Sequence, residues 1–486
     1  MISVDHNIKE NSQIEPELDR MHHVFQLQRT KSLEKRTASV SGRKQSLKKL
    51  KNWILVHKQD IIEAVYSDYR KPAVEVIAHE ILPVLAEIKH TLSHLDQWTR
   101  PKKVDAPITY LGTRSYVQFE PKGVTLIIAP WNFPFNIAIV PLVSALAAGN
   151  TVFIKPSEQT PHTAALISKM IAAIFEQDEV VVFEGDASVS QNLLKLPFDH
   201  IYFTGSPAIG KLVMKAAAEH LSSVTLELGG KSPAIIDDTV NIKSTAKRIA
   251  WAKFVNNGQI CVAPDYAYVH KNIFYEFVEA LKQATEKLFK GNSQGGFDES
   301  GSYGRIVNER HLKRLLALLN DAKVKGAKVL IGGNFDLDSN FVEPTLITDV
   351  NENMELLQEE IFGPILPIII YEDIERVLAE INNKPKPLAL YVFSNRKSKQ
   401  QYILKNTSSG TACINDCVLQ YAHSNLPFGG VNNSGIGKSH GYYGFIAFSN
   451  EKAVLKQKSG ITALSFFYPP YTKLTNKIVN LVLKLY

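Results

Sequence analysis

The sequence feature that most constrains the fold is a regular alternation of short apolar runs with helical stretches. Short buried strands that alternate with helices are typical of a parallel sheet with both faces covered. A first series of runs ends near Gly229 and Gly230, and a second begins near Ser232 and continues to about Ile414. The sequence therefore predicts two α/β units. The apolar runs are residues 124–128, 151–154, 180–183, 200–203 and 225–228 in the first series, and 234–236, 267–269, 329–331, 365–370 and 389–393 in the second.

Two segments of different character precede the first series. Apolar residues recur at intervals of three and four from residue 22 to residue 98, a spacing that predicts several helices. Residues 101–121 carry β-favouring residues on both sides of Gly112 and predict a hairpin.

Composition and charge exclude several classes of protein. The three cysteines are too few for a disulfide framework, which favours a reducing compartment such as the cytoplasm. Cys413 and Cys417 lack the partners of a zinc site, so no metal site is expected. The net charge of +7 comes from scattered basic residues, which argues against nucleic-acid binding. The polar N-terminus is not a signal peptide, and the apolar runs are far shorter than the ~20 residues of a membrane span.

Cys261 follows a run of polar, turn-forming residues that begins at Asn256. A thiolate on an accessible loop is a strong nucleophile. Glu227 stands just before two glycines, so a substrate or a water molecule can approach its carboxylate. The two residues predict a nucleophile and a general base. The alternative is a buried structural cysteine and a surface glutamate.

Residues 201–211 have the pattern of a strand, a glycine turn and the start of a helix. Gly205 permits the tight turn, and the N–H groups that open the next helix attract an anion such as a pyrophosphate. The spacing from Gly205 to Gly210 differs from the usual dinucleotide pattern, so an ordinary βα turn is an equal alternative.

Lys155 and Glu158 directly follow an apolar strand. Ligands of open α/β sheets bind beyond the carboxyl ends of the strands, where a donor and an acceptor would hold a ribose diol. A carboxylate there favours the free 2′-hydroxyl of NAD over the 2′-phosphate of NADP. A salt bridge in solvent is the equal alternative. Two further turns, residues 359–364 and 427–435, are candidates for the site or ordinary turns.

Seven motifs of the chain resemble those of the aldehyde dehydrogenase superfamily, in the same order and with the same spacing. They cover roughly residues 25–458. Residues 261–266, 386–391 and 468–470 are similar to the class 3, or fatty aldehyde dehydrogenase, branch. The motifs are residues 130–134, 155–158, 203–206, 226–231, 258–261, 360–364 and 427–430.

The resemblance implies a mechanism and a cofactor, NAD, with acceptance of NADP left open. Cys261 would attack the aldehyde, Asn132 and the Cys261 N–H would stabilise the oxyanion, and Glu227 would activate the hydrolytic water. Pro207 stands where the family more often has threonine; because proline is tolerated in a first helical turn, the turn is expected to survive. The cofactor-binding residues would be Lys155, Glu158, Gly205, Ser206, Gly210, Glu360 and Phe362.

The same resemblance implies a Rossmann-type cofactor domain, an α/β catalytic domain and a small β oligomerisation element of a homodimer. The substrates would be medium- or long-chain aliphatic or aromatic aldehydes. A CoA-acylating enzyme and a non-catalytic protein are the alternatives, and Glu227 argues against the first. The implied domains are 1–102 with 121–228 for NAD(P) binding, 229–430 for catalysis, 103–120 with 431–458 for oligomerisation, and 459–486 as a tail.

The tail predicts a basic amphipathic helix, because Lys473, Lys477, Asn480 and Lys484 share one face. Residues 471–486 would either dock on the protein itself, over the substrate entrance, or lie on an anionic membrane surface.

Overall fold

A computed structural model of the chain describes residues 4–107, 110, 112–290, 296–460 and 462–484. Residues 108, 109 and 111 of the predicted hairpin and residues 485 and 486 of the predicted tail lie outside the described residues.

The predicted helical region is confirmed. In α2, for example, Ser39 caps the first turn by accepting a hydrogen bond from Gly42 N, and Leu47, Leu50 and Ile54 are buried along one face. A π-helical turn, Ile77–Ile81, joins the last two helices. The helices are α1 (Val4–Arg36), α2 (Val40–Val56), α3 (Lys58–Tyr69), α4 (Ala73–Val76) and α5 (Leu82–Trp98).

The predicted hairpin is also confirmed. Strand β1 (Lys102–Val104) pairs antiparallel with β2 (Thr113–Pro121), and Val104 lies opposite Ser115.

The first predicted α/β unit is a parallel sheet whose strands follow the apolar runs closely. The strand at residues 124–128 is buried along its whole length. The strand predicted at 200–203 continues to Gly205, because Thr204 and Gly205 still pair with Glu227 and Leu228 on the next strand. The elements are β3 (Val124–Ile128), α6 (Asn136–Ala148), β4 (Thr151–Lys155), α7 (Pro161–Ile174), β5 (Val180–Val182), α8 (Ala187–Leu193), β6 (His200–Gly205), α9 (Pro207–Glu219) and β7 (Ser223–Leu228). Their order in the sheet is β7-β6-β3-β4-β5.

The second unit is a seven-stranded sheet in the order β10-β13-β14-β9-β8-β15-β16, with β11 and β12 as a separate pair. The predicted runs of the second series are confirmed as strands. The strands are β8 (Pro233–Ile236), β9 (Tyr266–His270), β10 (Lys328–Ile331), β11 (Phe335–Asp336), β12 (Phe341–Val342), β13 (Thr345–Thr348), β14 (Ile365–Tyr371), β15 (Ala389–Phe393) and β16 (Thr411–Ile414). The helices are α10 (Ile242–Phe254), α11 (Phe274–Thr285), α12 (Glu309–Val324), α13 (Glu355–Gln358), α14 (Ile374–Asn383) and α15 (Lys397–Lys405).

The C-terminal part of the chain adds one strand to the sheet of the first unit and another to the hairpin of β1 and β2. β17 (Gly435–Ile436) pairs antiparallel with β7, so that Gly435 lies opposite Glu227. After α16 (Gly441–Ala447), β18 (Ser449–Gln457) pairs along the whole of β2. Glu227 on β7 therefore lies between β6 and β17, two strands that are far apart in sequence.

The predicted tail helix is confirmed as α17 (Lys473–Leu483), which Thr472 caps. Leu474, Leu481 and Leu483 are exposed on it. No helix in the described part of the chain combines the length and the apolar character that crossing a bilayer requires.

Candidate active site

A cavity of about 480 Å³ lies at the carboxyl ends of β6 and β7. The turn that follows β3 lines it from the same unit, and the turn after α10 and the segment before β14 line it from the other unit. Of the predicted site residues, Asn132, Gly205, Ser206, Glu227, Cys261, Glu360 and Phe362 line this cavity. Lys155, Glu158 and Gly210 do not line it.

Cys261 is held by a strained, buried loop. Asn256 and Asn257 have left-handed backbone angles, with φ of 51° and 54°, and Gly258 follows with φ of 70°. Asn256 N donates to Glu75 Oε2 at 3.0 Å, which ties the loop to α4. The thiol is half-buried rather than freely accessible, and burial, Glu360 and Glu227 all raise its pKa. The prediction of a polar loop is confirmed, and the role of Cys261 as a nucleophile stays a prediction. Burial and the two carboxylates disfavour its thiolate.

Asn132 is buried, and hydrogen bonds hold both its side chain and its backbone. Its side-chain Nδ2 donates to Gln259 O at 3.0 Å, and its backbone carbonyl accepts from Tyr69 Oη and Asn256 Nδ2, each at 2.9 Å. A side-chain amide has two N–H groups. One is used within the loop that precedes Cys261, and the other remains for a ligand in the cavity.

Glu227 has one anchored oxygen and one that lacks a partner. Oε1 accepts from Ser439 Oγ at 2.9 Å, while the buried Oε2 has no hydrogen-bond partner among the described residues. Burial raises the pKa of Glu227 to about 8; the Ser439 hydrogen bond and the charge of Lys438 oppose this rise.

The turn between β6 and α9 joins a strand to a helix as predicted, but its glycines are needed for a different reason from the one predicted. Ser206 caps α9 by accepting from Ile209 N at 3.4 Å, and Pro207 occupies the first turn as expected. Gly205 is required for space rather than for a left-handed turn: a Cβ there would lie 2.5 Å from the Phe203 ring, and its φ is not positive. A Cβ at Gly210 would lie 2.6 Å from Leu228, so Gly210 serves helix–sheet packing.

Lys155 and Glu158 form an ion pair with each other. Lys155 Nζ lies 3.0 Å from Glu158 Oε2 and donates to Pro156 O at 2.8 Å. The lysine is 2% exposed and the glutamate 42% exposed, so the salt bridge is buried at one end and reaches solvent at the other, and the alternative that the sequence left open stays open. Lys155 ends β4 at the same edge of the sheet as the cavity, and its role toward a ribose stays a prediction.

Glu360 lies in a turn that side chains of neighbouring elements stabilise by hydrogen bonds. Lys231 Nζ donates to Glu359 O at 2.9 Å, and Arg314 Nη1 to Glu360 O at 3.1 Å. Burial, with Asp265 next in effect, raises the pKa of Glu360 to about 8. Phe362, with φ of 48°, contacts Trp131 edge-to-face at 5.3 Å.

Sequence reasoning missed two cavity residues on α12, His311 and Arg314. His311 contacts the Trp131 ring at 4.8 Å between centroids, and burial lowers its pKa to about 4. Neither residue lies in a glycine turn or in one of the seven motifs. Only the way in which α12 packs against the segment before β14 brings them to the site.

A second, apolar pocket of about 190 Å³ reaches Cys261 from the other side. His79 in its wall is neutral at pH 7, because burial lowers its pKa to about 4. The lining includes Phe133, Ile137, Trp251, Val418, Leu419 and Tyr421. Cys261 thus lines both this apolar pocket and the first cavity, which we call the polar cavity because its lining includes charged and amide side chains such as Asn132, Glu227 and Arg314.

The model of the aldehyde dehydrogenase family matches residues 19–454. The chain belongs to the aldehyde dehydrogenase family. Aldehyde dehydrogenase family 3 member F1 of Arabidopsis thaliana is 39% identical over 475 residues, 97% of this chain and 96% of that protein. 4,4'-Diaponeurosporen-aldehyde dehydrogenase of Staphylococcus aureus is 43% identical over 435 residues, 90% of this chain and 93% of that protein. The solved substrate-bound state of Staphylococcus aureus AldH has a TM-score of 0.90 at 41% identity and covers 95% of this chain and 99% of that one.

These similarities confirm the predicted fold and the class 3-like resemblance. This aldehyde dehydrogenase is an NAD(P)-dependent enzyme that oxidises aldehydes to acids. Its polar cavity fits a nicotinamide dinucleotide. The α9 N-terminus opens on it, Gly229 leaves room for the Glu360 carboxylate, and the buried Thr204 Oγ1 has no partner in the described part of the chain.

Proposed function

We propose that this aldehyde dehydrogenase oxidises medium- or long-chain aliphatic or aromatic aldehydes through a thiohemiacetal and a thioester on Cys261. The observation that carries the proposal is that Cys261 lines both the polar cavity and the apolar pocket. An apolar aldehyde in the pocket brings its carbonyl to the thiol, while the polar cavity offers the opposite side for the cofactor.

The first half of the reaction is the work of Cys261 and Asn132. The thiol gives up its proton to solvent, the thiolate sulfur adds to the aldehyde carbon, and the carbonyl oxygen takes up the negative charge. The free N–H of Asn132 Nδ2 and the backbone N–H of Cys261 stabilise this oxyanion, and each such donor is worth about 3–4 kcal/mol of transition-state energy. When bound, NAD(P) supplies the acceptor for the hydride that leaves this carbon.

The second half needs a base for water, and we assign it to Glu227. Its Oε2 is buried and unpartnered among the described residues. It takes a proton from water, the oxygen adds to the thioester carbon, and the carbon–sulfur bond breaks to give the acid and free Cys261.

For the cofactor, we propose that Lys155 and Glu158 hold the adenosine ribose. Gly205, Ser206 and Gly210 build the phosphate turn, and Glu360 with Phe362 holds the nicotinamide riboside. The carboxylate of Glu158 supports a preference for NAD. The ion pair with the buried Lys155 supports the orientation of that carboxylate.

We propose a homodimer that uses the three-stranded sheet β1-β2-β18. Most of β18 is exposed, and Leu455 on it is 53% exposed. Light scattering after size exclusion would give twice the chain mass; a monomer mass at micromolar concentration would contradict the proposal.

We also propose that the tail contacts an anionic membrane surface. Lys473, Lys477 and Lys484 are cationic, and Leu474, Leu481 and Leu483 stay exposed on α17. Removal of residues 471–486 should abolish flotation with vesicles that contain anionic lipid. Unchanged flotation would favour docking of the tail on the protein itself.

The central experiment measures absorbance at 340 nm with NAD or NADP and a ladder of aldehydes from acetaldehyde to hexadecanal, plus benzaldehyde. Specificity should rise with chain length, and Cys261→Ala should bind cofactor but show no turnover. Cys413→Ala, a half-buried thiol that lines neither cavity, is the matched control and should behave as wild type. Turnover only with added CoA, or a fully active Cys261→Ala, would contradict the proposal.

A further inference from the structure

The hydroxyl of Ser439 contacts the proposed base directly. Ser439 is buried just beyond β17, and its Oγ lies 2.9 Å from Glu227 Oε1. It lies in none of the seven motifs. Because Oε1 is engaged in this way, the orientation of the carboxylate is set and Oε2 is left unpartnered within the described residues.

The backbone of Ser439 is held on both sides. Ser439 N donates to Phe428 O at 2.7 Å, and Phe428 N donates to Ser439 O at 3.2 Å. Such a two-way bridge places the Cβ of Ser439 in one position.

The hydroxyl has a second neighbour, the ring of His440. His440 Nδ1 lies 3.0 Å from Ser439 Oγ. The His440 ring packs against Tyr421 and Phe428 at 4.8 and 5.3 Å, and its backbone is left-handed with φ of 71°. Ser439 Oγ also lies 3.3 Å from Phe428 O, a longer contact than the 2.9 Å to Glu227 Oε1. With its proton on Nδ1, neutral His440 donates to Oγ, and the hydroxyl proton then points to the nearer acceptor, Glu227.

We infer that Ser439 is a positioning residue for thioester hydrolysis: it holds Oε1 of Glu227 so that Oε2 receives the proton of the attacking water. The inference rests on the proposed role of Glu227. Water gives its proton to Oε2 and its oxygen to the thioester carbon, the carbon–sulfur bond breaks, and the thiolate of Cys261 regains a proton. Ser439 keeps its own proton throughout.

The hydrogen bond also sets the acidity of the base. A donor to the carboxylate stabilises its charged form, so loss of the hydroxyl raises the pKa of Glu227 further. The remaining charge that opposes burial is that of Lys438. The titratable side chains around Glu227 and Ser439 are Tyr202, Cys261, Tyr421, Lys438 and His440.

The test compares Ser439→Ala with wild type in rapid mixing of enzyme, NAD and hexanal. The first turnover should form NADH at the wild-type rate, because acylation does not need Glu227 to be oriented. Steady-state turnover at pH 7 should fall about tenfold, and its pH limb should move to higher pH. Ser439→Thr, which keeps the hydroxyl, should restore both. Ser449→Ala removes another buried serine hydroxyl, one bonded to Phe445 O, and should leave both unchanged.

The outcomes separate this inference from the proposed function. If Ser439→Ala keeps the wild-type steady-state turnover and pH dependence while Glu227→Gln loses turnover, the inference alone is overturned. Full turnover in Glu227→Gln would overturn the assignment of the base, and the inference with it. If Ser439→Ala does not fold, Ser439→Cys takes its place, since a thiol is a weak donor and should give the same slow hydrolysis.

Discussion

The carboxylate of Glu360 packs directly on the backbone of Gly229: a Cβ on residue 229 would lie 2.7 Å from the carboxyl carbon. The φ of Gly229 is not positive, so alanine is compatible with the backbone itself. Glycine is required at the end of β7 because a larger residue would overlap the Glu360 side chain. The geometry of the turn does not require it.

Gly229→Ala should therefore displace Glu360 without unfolding the protein. If Glu360 binds the nicotinamide ribose, the Kd for NAD should rise at least about tenfold, or about 1.4 kcal/mol, with little change in thermal midpoint. Calorimetric titration measures this. Gly301→Ala, at an exposed glycine with open space around it, is the control and should change neither quantity. An unchanged Kd in Gly229→Ala would contradict the role of Glu360.

Turnover should rise with pH through about 8. A carboxylate is a base only when deprotonated, and burial raises the pKa of Glu227 to about 8, so about one molecule in ten carries the charged base at pH 7. The steady-state rate after the first turnover, measured from pH 6 to pH 10, should show this limb. A flat profile down to pH 6 would contradict the assignment.

Glu360→Gln should make Cys261 more reactive in the enzyme without cofactor. The charge of Glu360 raises the pKa of the thiol, so its removal increases the thiolate fraction at a given pH. Alkylation of Cys261 by iodoacetamide at pH 9 should become several times faster. Glu359→Gln removes the neighbouring carboxylate, which pairs with Arg314, and should leave the rate unchanged. Equal rates in the two variants would refute the electrostatic explanation.

The buried ion pair of Lys71 and Glu80 should be costly to break. Glu80 Oε1 lies 2.7 Å from Lys71 Nζ, and Oε2 accepts from Asn136 N at 2.9 Å, in the first turn of α6. Glu80→Gln leaves a buried ammonium without its counter-charge, so the free energy of unfolding should fall by about 3–5 kcal/mol in urea denaturation. Glu309→Gln, in an exposed pair with Lys313, should cost less than about 1 kcal/mol. If Glu80→Gln also lowered the free energy of unfolding by less than about 1 kcal/mol, the buried pair would contribute little to stability.

Much of the fold was predictable because its strands are unusually apolar. The run at residues 124–128 is buried on both faces and flanked by turns, so its unbroken apolar character, its length and its ends all indicate a strand. The end of β6 was harder to predict, since glycine is depleted in strands and Gly205 is in the strand because it pairs with Leu228 of β7. The domain boundaries at 102, 120, 228, 430 and 458 remain predictions.

The candidate site was predictable where a residue stands in a motif, and not where packing supplies it. Glu227 and Cys261 could be named from their turns and Asn132 from the family resemblance, and the structure brings the three to one cavity. His311 and Arg314 lie on an ordinary amphipathic helix, and only the contact of α12 with the turn around Glu360 recruits them. The raised pKa of Cys261 was missed for the same reason, since it depends on burial and on two carboxylates brought close by folding.

The pairing of β17 with β7 has a consequence for how the enzyme is made. Glu227 and Ser439 are separated by 212 positions. At usual synthesis rates a ribosome needs about 10–40 s to add that many residues. During most of that interval the nascent chain already carries Glu227 and Cys261, but not the strand that borders Glu227. A chain cut short before Gly435 therefore holds the proposed base and nucleophile without β17 and Ser439, and the surroundings of Glu227 are completed only with the last tenth of the chain.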